Sequence, residues 1–86
     1  MITREEYDLL KERYGWGCHW TARDKDGCLY TYDKEPLKMK DGWKNSKLSS
    51  YYTCEDNRLF PYVKWEDVKP TKILDLIQDY EKEEVE

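Results

Sequence analysis

Cys18, His19, Cys28 and Cys54 are the only thiols and the only imidazole in this sequence. Three thiolates and one imidazole make a recognised structural zinc set. A small domain with a thin core gains from such a metal staple. The spacing is not that of a standard finger, because there is no C-x-x-C pair. If residues 18–32 form a straight hairpin about Asp26-Gly27, Cys18 lies near the open end and Cys28 near the tip. They are then much farther apart than the ~4 Å between two ligands of one tetrahedral zinc. A single ion requires a bend in this stretch, which Gly15 and Gly17 allow. The alternative is two or three buried free thiols beside a surface histidine.

No enzymatic signature accompanies these residues. His19 belongs to no recognisable Ser-His-Asp or Cys-His pattern, and there is no P-loop, G-x-G-x-x-G or H-E-x-x-H. Asp24 and Asp26 flank a turn and are expected to shape it. A calcium loop starting at Asp24 is excluded, since Leu29 stands where its sixth-position glycine is required. The chain therefore reads as non-enzymatic, with no small-molecule substrate. A second group of interest is aromatic: Trp43, Tyr51 and Tyr52, beside Lys38, Lys40, Lys44 and Lys47. Aromatics interleaved with lysines bind single-stranded nucleic acid through stacking and charge. Trp and Tyr equally anchor protein interfaces. Core packing is the third reading, because strand alternation buries one of Tyr51 and Tyr52 in any case.

The bulk composition narrows these options. The chain has 86 residues, 15 basic and 19 acidic, for a net charge of -4. That length fits one domain spanning 1–86. Mild acidity counts against a general duplex-DNA binder, which needs a basic face. No stretch approaches the roughly 20 apolar residues of a membrane span. The segment Met1–Glu6 lacks the apolar run of a secretion signal, so a cytoplasmic setting is expected. Three cysteines, an odd number, fit poorly with a secreted disulfide framework. Leu, Ile, Val and Phe total only 15 residues, against four Trp and eight Tyr. Each aromatic removes roughly 150–250 Å² from water, so the composition predicts a folded domain with an aromatic core.

Element signals follow from local pattern. Thr3 and Glu6 form a capping box, and Ile2 and Tyr7 stand at hydrophobic-staple spacing. Tyr7, Leu10 and Tyr14 share one helical face, with Gly15 as the stop. Residues 16–22 and 28–32 alternate about the turn Asp24-Lys25-Asp26-Gly27, which predicts a hairpin. Residues 34–50 read as a lysine-rich loop. Tyr51–Cys54 predicts a third strand, Glu55–Arg58 a polar turn, and Leu59–Trp65 a possible fourth strand with Pro61 at an edge or bulge. Pro70-Thr71 opens a last helix whose apolar face is Ile73, Leu76, Ile77 and Tyr80. Its acidic end opposes the helix dipole, which predicts a frayed tail from about residue 81. The expected fold is α+β: N- and C-terminal helices packed on a small antiparallel sheet of three to four strands. Its expected core is Tyr7, Leu10, Tyr14, Trp20, Ala22, Leu29, Val63, Trp65, Ile73, Leu76 and Ile77.

Four blocks also carry a resemblance. They are Met1–Tyr7, Trp20–Gly27 with Leu29-Tyr30, Leu59–Asp67, and Pro70-Thr71 with Ile73–Ile77. Together they resemble small accessory proteins of streptococcal and lactococcal phages. The resemblance spans nearly the whole chain and implies an early phage protein acting in the cytoplasm of the infected bacterial host. Some small acidic proteins of this kind inhibit host defences. The sharpest implication is a type II-A anti-CRISPR protein that binds the effector nuclease directly. An inhibitor of similar size carries zinc, so the resemblance also implies zinc at Cys18, His19, Cys28 and Cys54.

The leading expectation is stoichiometric inhibition of a host CRISPR effector nuclease, with Trp43, Tyr51 and Tyr52 as partner-binding anchors. The alternatives are a zinc-dependent nucleic-acid-binding module built on Lys38, Lys40, Trp43, Lys44 and Lys47, or a structural or regulatory phage protein.

Overall fold

The computed structural model describes residues 2–84. Helix α1 runs Arg4–Gly15 behind a complete capping box: the Thr3 hydroxyl accepts from the Glu6 amide, and the Glu6 carboxylate accepts from the Thr3 amide. The stop lies two residues beyond the expected glycine. Trp16 is the C-cap, and Gly17, at φ +96°, takes the left-handed conformation that ends the helix. The Gly17 amide donates to the Tyr14 carbonyl and the Cys18 amide to the Arg13 carbonyl, as a Schellman motif requires.

Strands β1 (Trp20–Arg23) and β2 (Leu29–Tyr32) form the predicted hairpin, with Thr21 opposite Thr31. Asp24 and Cys28 close its loop, and Gly27 at φ +96° supplies the left-handed residue of a three-residue connection. Residues 34–50 are more ordered than their composition suggests. Strands β3 (Leu37–Lys38) and β4 (Trp43–Lys44) pair within them as a separate two-stranded sheet. Strand β5 (Tyr52–Glu55) pairs with β2, and β6 (Thr71–Lys72) pairs with β1 before leading straight into α2 (Ile73–Glu84). The main sheet is therefore antiparallel in the order β5-β2-β1-β6, with both helices packed against it. This is the expected α+β class. Of the predicted acidic tail, residues 81–84 are helical and 85–86 lie outside the described residues.

The fourth strand is β6, and Leu59–Trp65 is not a strand. That segment forms successive turns, which bury Phe60 and Val63 in the core and pack Leu59 against it. The buried centre gathers Ile2, Leu10, Cys18, Leu29, Phe60, Val63, Ile73, Ile77 and Tyr80. Tyr7, Tyr14 and Leu76 pack at its margin, while Trp20 and Trp65 lie outside it and are only partly covered. The expected aromatic core is thus mainly aliphatic. Most aromatic area covers the second face of the sheet and the rims.

Candidate functional site

Strand alternation separates the four candidate metal ligands. Cys18 is fully buried in the core, on the helix-facing side, where burial pushes its thiol pKa up despite a hydrogen bond with Thr31. Cys54 is paired with Tyr30 on the opposite, outer face and is exposed. Cys28 lies near Cys54 at the hairpin tip, its thiol held protonated chiefly by a hydrogen bond to the Asp26 carboxylate. His19 is exposed at the start of β1, its ring edge-on to Tyr14 at 4.9 Å. Two ligands on one face of a sheet and one beneath the other cannot share a single tetrahedral ion. Among the described residues, no three His, Cys, Asp or Glu side chains stand together as a metal-binding group.

The aromatic candidates divide in the same way. Trp43 is half-buried and acts as the anchor of the β3–β4 hairpin. Its indole N–H donates to the Arg23 carbonyl, and its amide donates to Asp24 Oδ1. Lys38, expected in a basic patch, is committed within the molecule. Its ammonium lies 4.3 Å from the Trp65 ring centre and 5.6 Å from that of Trp43, and donates to the Trp65 and Asp67 carbonyls. Lys40, Lys44 and Lys47 remain exposed.

Tyr51 and Tyr52 have a different setting. Tyr52 opens β5 and Tyr51 immediately precedes it; β5 is an edge strand whose far side pairs with no other described strand. Consecutive strand residues point to opposite faces. Tyr52 joins Tyr30 and Tyr32 on the outer face, with ring centres 6.1 and 6.2 Å from its own. Tyr51 meets Trp16 on the helix side, edge to face at 6.2 Å. The Trp16 ring in turn lies 4.3 Å from the Arg13 guanidinium. Trp16, Tyr51 and Tyr52 stay 53%, 39% and 51% exposed, so three large rings frame one open strand edge. The sequence singled out Tyr51 and Tyr52 as expected partner-binding anchors. Trp16 escaped notice because it reads as the first residue of a strand, whereas it caps α1.

Several polar residues that fix this surface were also hidden from sequence reasoning. Glu55, expected in a turn, is buried on β5. Its carboxylate takes two hydrogen bonds from Arg13 of α1, at 2.7 and 3.0 Å, and one from Thr31 at 2.9 Å. This forked pair ties the edge strand to the helix that carries Trp16. Asp33 fastens the segment before Tyr51: it accepts from the Ser49 hydroxyl and from the Ser50 amide and hydroxyl. Desolvation acts the other way, yet these bonds hold its pKa at about 2. Arg23 uses all its donors on backbone carbonyls, those of Gly27, Asn57, Leu59, Phe60 and Val63. Glu6, besides its capping role, accepts the Phe60 amide at 2.6 Å. Phe60 sits at φ +52°, a strained conformation for a bulky residue. The only advance signal for Arg23 and Glu55 is a charge at an inward position of a strand.

Among the described residues, no helix is long and apolar enough to cross a membrane. No family model matches the chain, and neither a curated protein nor a solved structure matches it.

Proposed function

We propose that this protein acts by stoichiometric protein binding without catalysis, and that its partner is a type II CRISPR effector nuclease in the cytoplasm of a bacterial host. The observation that carries the binding part is the open edge of β5, framed by the half-exposed rings of Trp16, Tyr51 and Tyr52. An unpaired strand edge offers main-chain donors and acceptors to an incoming segment. Large, stiff aromatic side chains beside it supply the anchoring area typical of interface hot spots. A free edge of this kind carries an aggregation risk in a protein with no use for it.

The choice of target rests on the resemblance of the four sequence blocks to small phage proteins, and charge supports it. RNA-guided nucleases hold their heteroduplex in a positively charged channel, which a chain of net charge -4 complements. The nucleic-acid-binding alternative loses two of its five residues, because Lys38 and Trp43 are engaged internally.

The test is cleavage of matched target DNA by a type II effector with guide RNA, titrated with the purified protein. Inhibition completed near one equivalent is the expected result, and Tyr51→Ala/Tyr52→Ala should need at least about tenfold more protein. Full cleavage at large excess would remove this target.

A further inference from the structure

We propose that a cleft on the outer face of the sheet is a receptor for an arginine side chain of the protein partner. This deepens the binding reading above and rests on it.

The cleft is built from three directions. Tyr30 and Tyr32 are alternate residues of β2, and Tyr52 lies opposite Tyr32 on β5, so all three rings project to one face. Trp43 and Asn45 come from β4 and the residues after it, and Asp24 from the β1–β2 loop. The cleft is shallow and open to solvent, with a volume of about 230 Å³. That is below the roughly 300–1,000 Å³ of ordinary small-molecule pockets and suits a single side chain.

Its polar groups are left unused by the fold. Tyr32 is only 2% exposed, yet no hydrogen bond joins its hydroxyl to any other described residue. Among the described residues no buried side-chain oxygen or nitrogen lacks a partner, so this hydroxyl is not sealed off and opens into the cleft that Tyr32 lines. The Tyr30 and Tyr52 hydroxyls and the Asn45 amide are likewise without a partner among the described residues. Asp24 commits one carboxylate oxygen, Oδ1, to the Trp43 amide at 2.9 Å, and no ion pair neutralises it among the described residues. Burial chiefly, and then the nearby Asp24 charge, push the Tyr32 pKa up.

The ligand class follows from these groups. A carboxylate and phenol oxygens repel an anion and accept from a cation. The rings of Tyr30, Tyr32 and Tyr52 pack on one another, so the cleft presents chiefly their polar edges and suits a cation that donates several hydrogen bonds. Guanidinium is planar, weakly hydrated and able to donate several N–H bonds in its plane while stacking on a ring. An ammonium is more strongly hydrated and has no flat face. Tyr52 belongs to both the cleft and the open edge of β5, so a segment seated on that edge can place an arginine here.

The test is ¹⁵N NMR titration at low salt with N-acetyl-arginine methylamide, and separately with its lysine counterpart. Saturable shifts at the Trp43 indole and the amides of 30–32 and 52–54 are expected, with arginine preferred. Asp24→Asn keeps an acceptor for the Trp43 amide and removes the charge, so binding should weaken at least about fivefold while the fold persists. Tyr52→Phe, which keeps the ring and loses one acceptor, should weaken it independently. Shifts that never saturate, equal or better binding of lysine, or Asp24→Asn binding as the parent does would each overturn the proposal. Cleavage assays separate the two levels. Arginine binding without inhibition removes the nuclease target and keeps the cleft. Equal inhibition by parent and Asp24→Asn removes the cleft's role and keeps the target.

Discussion

Arg23 ties β1 to the turns that follow β5, since it collects the carbonyls of Gly27, Asn57, Leu59, Phe60 and Val63, none of which has a strand partner. Arg23→Ala takes away the partners of the part-buried Gly27, Leu59 and Val63 carbonyls, and urea unfolding should show a loss of about 3 kcal/mol. Arg23→Lys should recover less than half, because an ammonium has three donors and no planar fork. Asp33 gives a pH signature. Its folded pKa of about 2 lies below the ordinary carboxylate value, so its contribution is fully present above about pH 4. It is lost as pH falls through about 2. Protection of the Ser50 amide from exchange should be lost over that window, and Asp33→Ala, which offers no acceptor, should lack that protection at every pH. None of this was legible beforehand. The sequence shows one arginine and one aspartate among 34 charged residues, and only the chain path decides which of them meet backbone.

Among the elements, α1 was the most legible, because its capping box is local chemistry within four residues. Its end was read two residues early. Gly15 is helical with open space around it, while Gly17 carries the positive φ. Gly15→Ala should therefore stabilise by about 0.5–1 kcal/mol, and Gly17→Ala should destabilise by about 1 kcal/mol. Thermal unfolding of the two variants distinguishes the two stops directly. The 59–65 segment misled because Phe60, Tyr62 and Val63 mimic a strand's composition, while Glu6 and Arg23 take the hydrogen bonds a strand would need. The joint between α1 and β5 is a buried ion pair, whose partners are 14% and 3% exposed. Arg13→Met leaves the Glu55 charge buried without its partner and should cost about 3 kcal/mol. Arg13→Met/Glu55→Met should cost less than that single change, since no uncompensated charge remains. Denaturant midpoints of the singles and the double measure this difference.

At the scale of the whole molecule, the helix–sheet–helix architecture could be read from periodicity, but the distribution of aromatics could not. A short aliphatic inventory suffices for the centre between helices and sheet. Apart from Tyr80 in the centre and Tyr7 and Tyr14 at its margin, tyrosines and tryptophans line the outer face, the Lys38 clamp between Trp43 and Trp65, and the β5 rim. Ligand count and the resemblance suggested zinc against an unfavourable spacing, and the sheet places Cys18 and Cys54 on opposite faces. Elemental analysis after purification without chelator should find less than about a tenth of an equivalent of zinc, since Cys18 cannot join the others in one tetrahedral set.

The central claim is that the open β5 edge is where the partner sits. Hydrogen exchange of the protein alone, and mixed with the effector–guide complex, tests it most directly. Protection concentrated in peptides covering 51–55, with a weaker effect at Trp16, is the predicted result. Protection confined to α2, or none at all at saturating complex, would contradict the account.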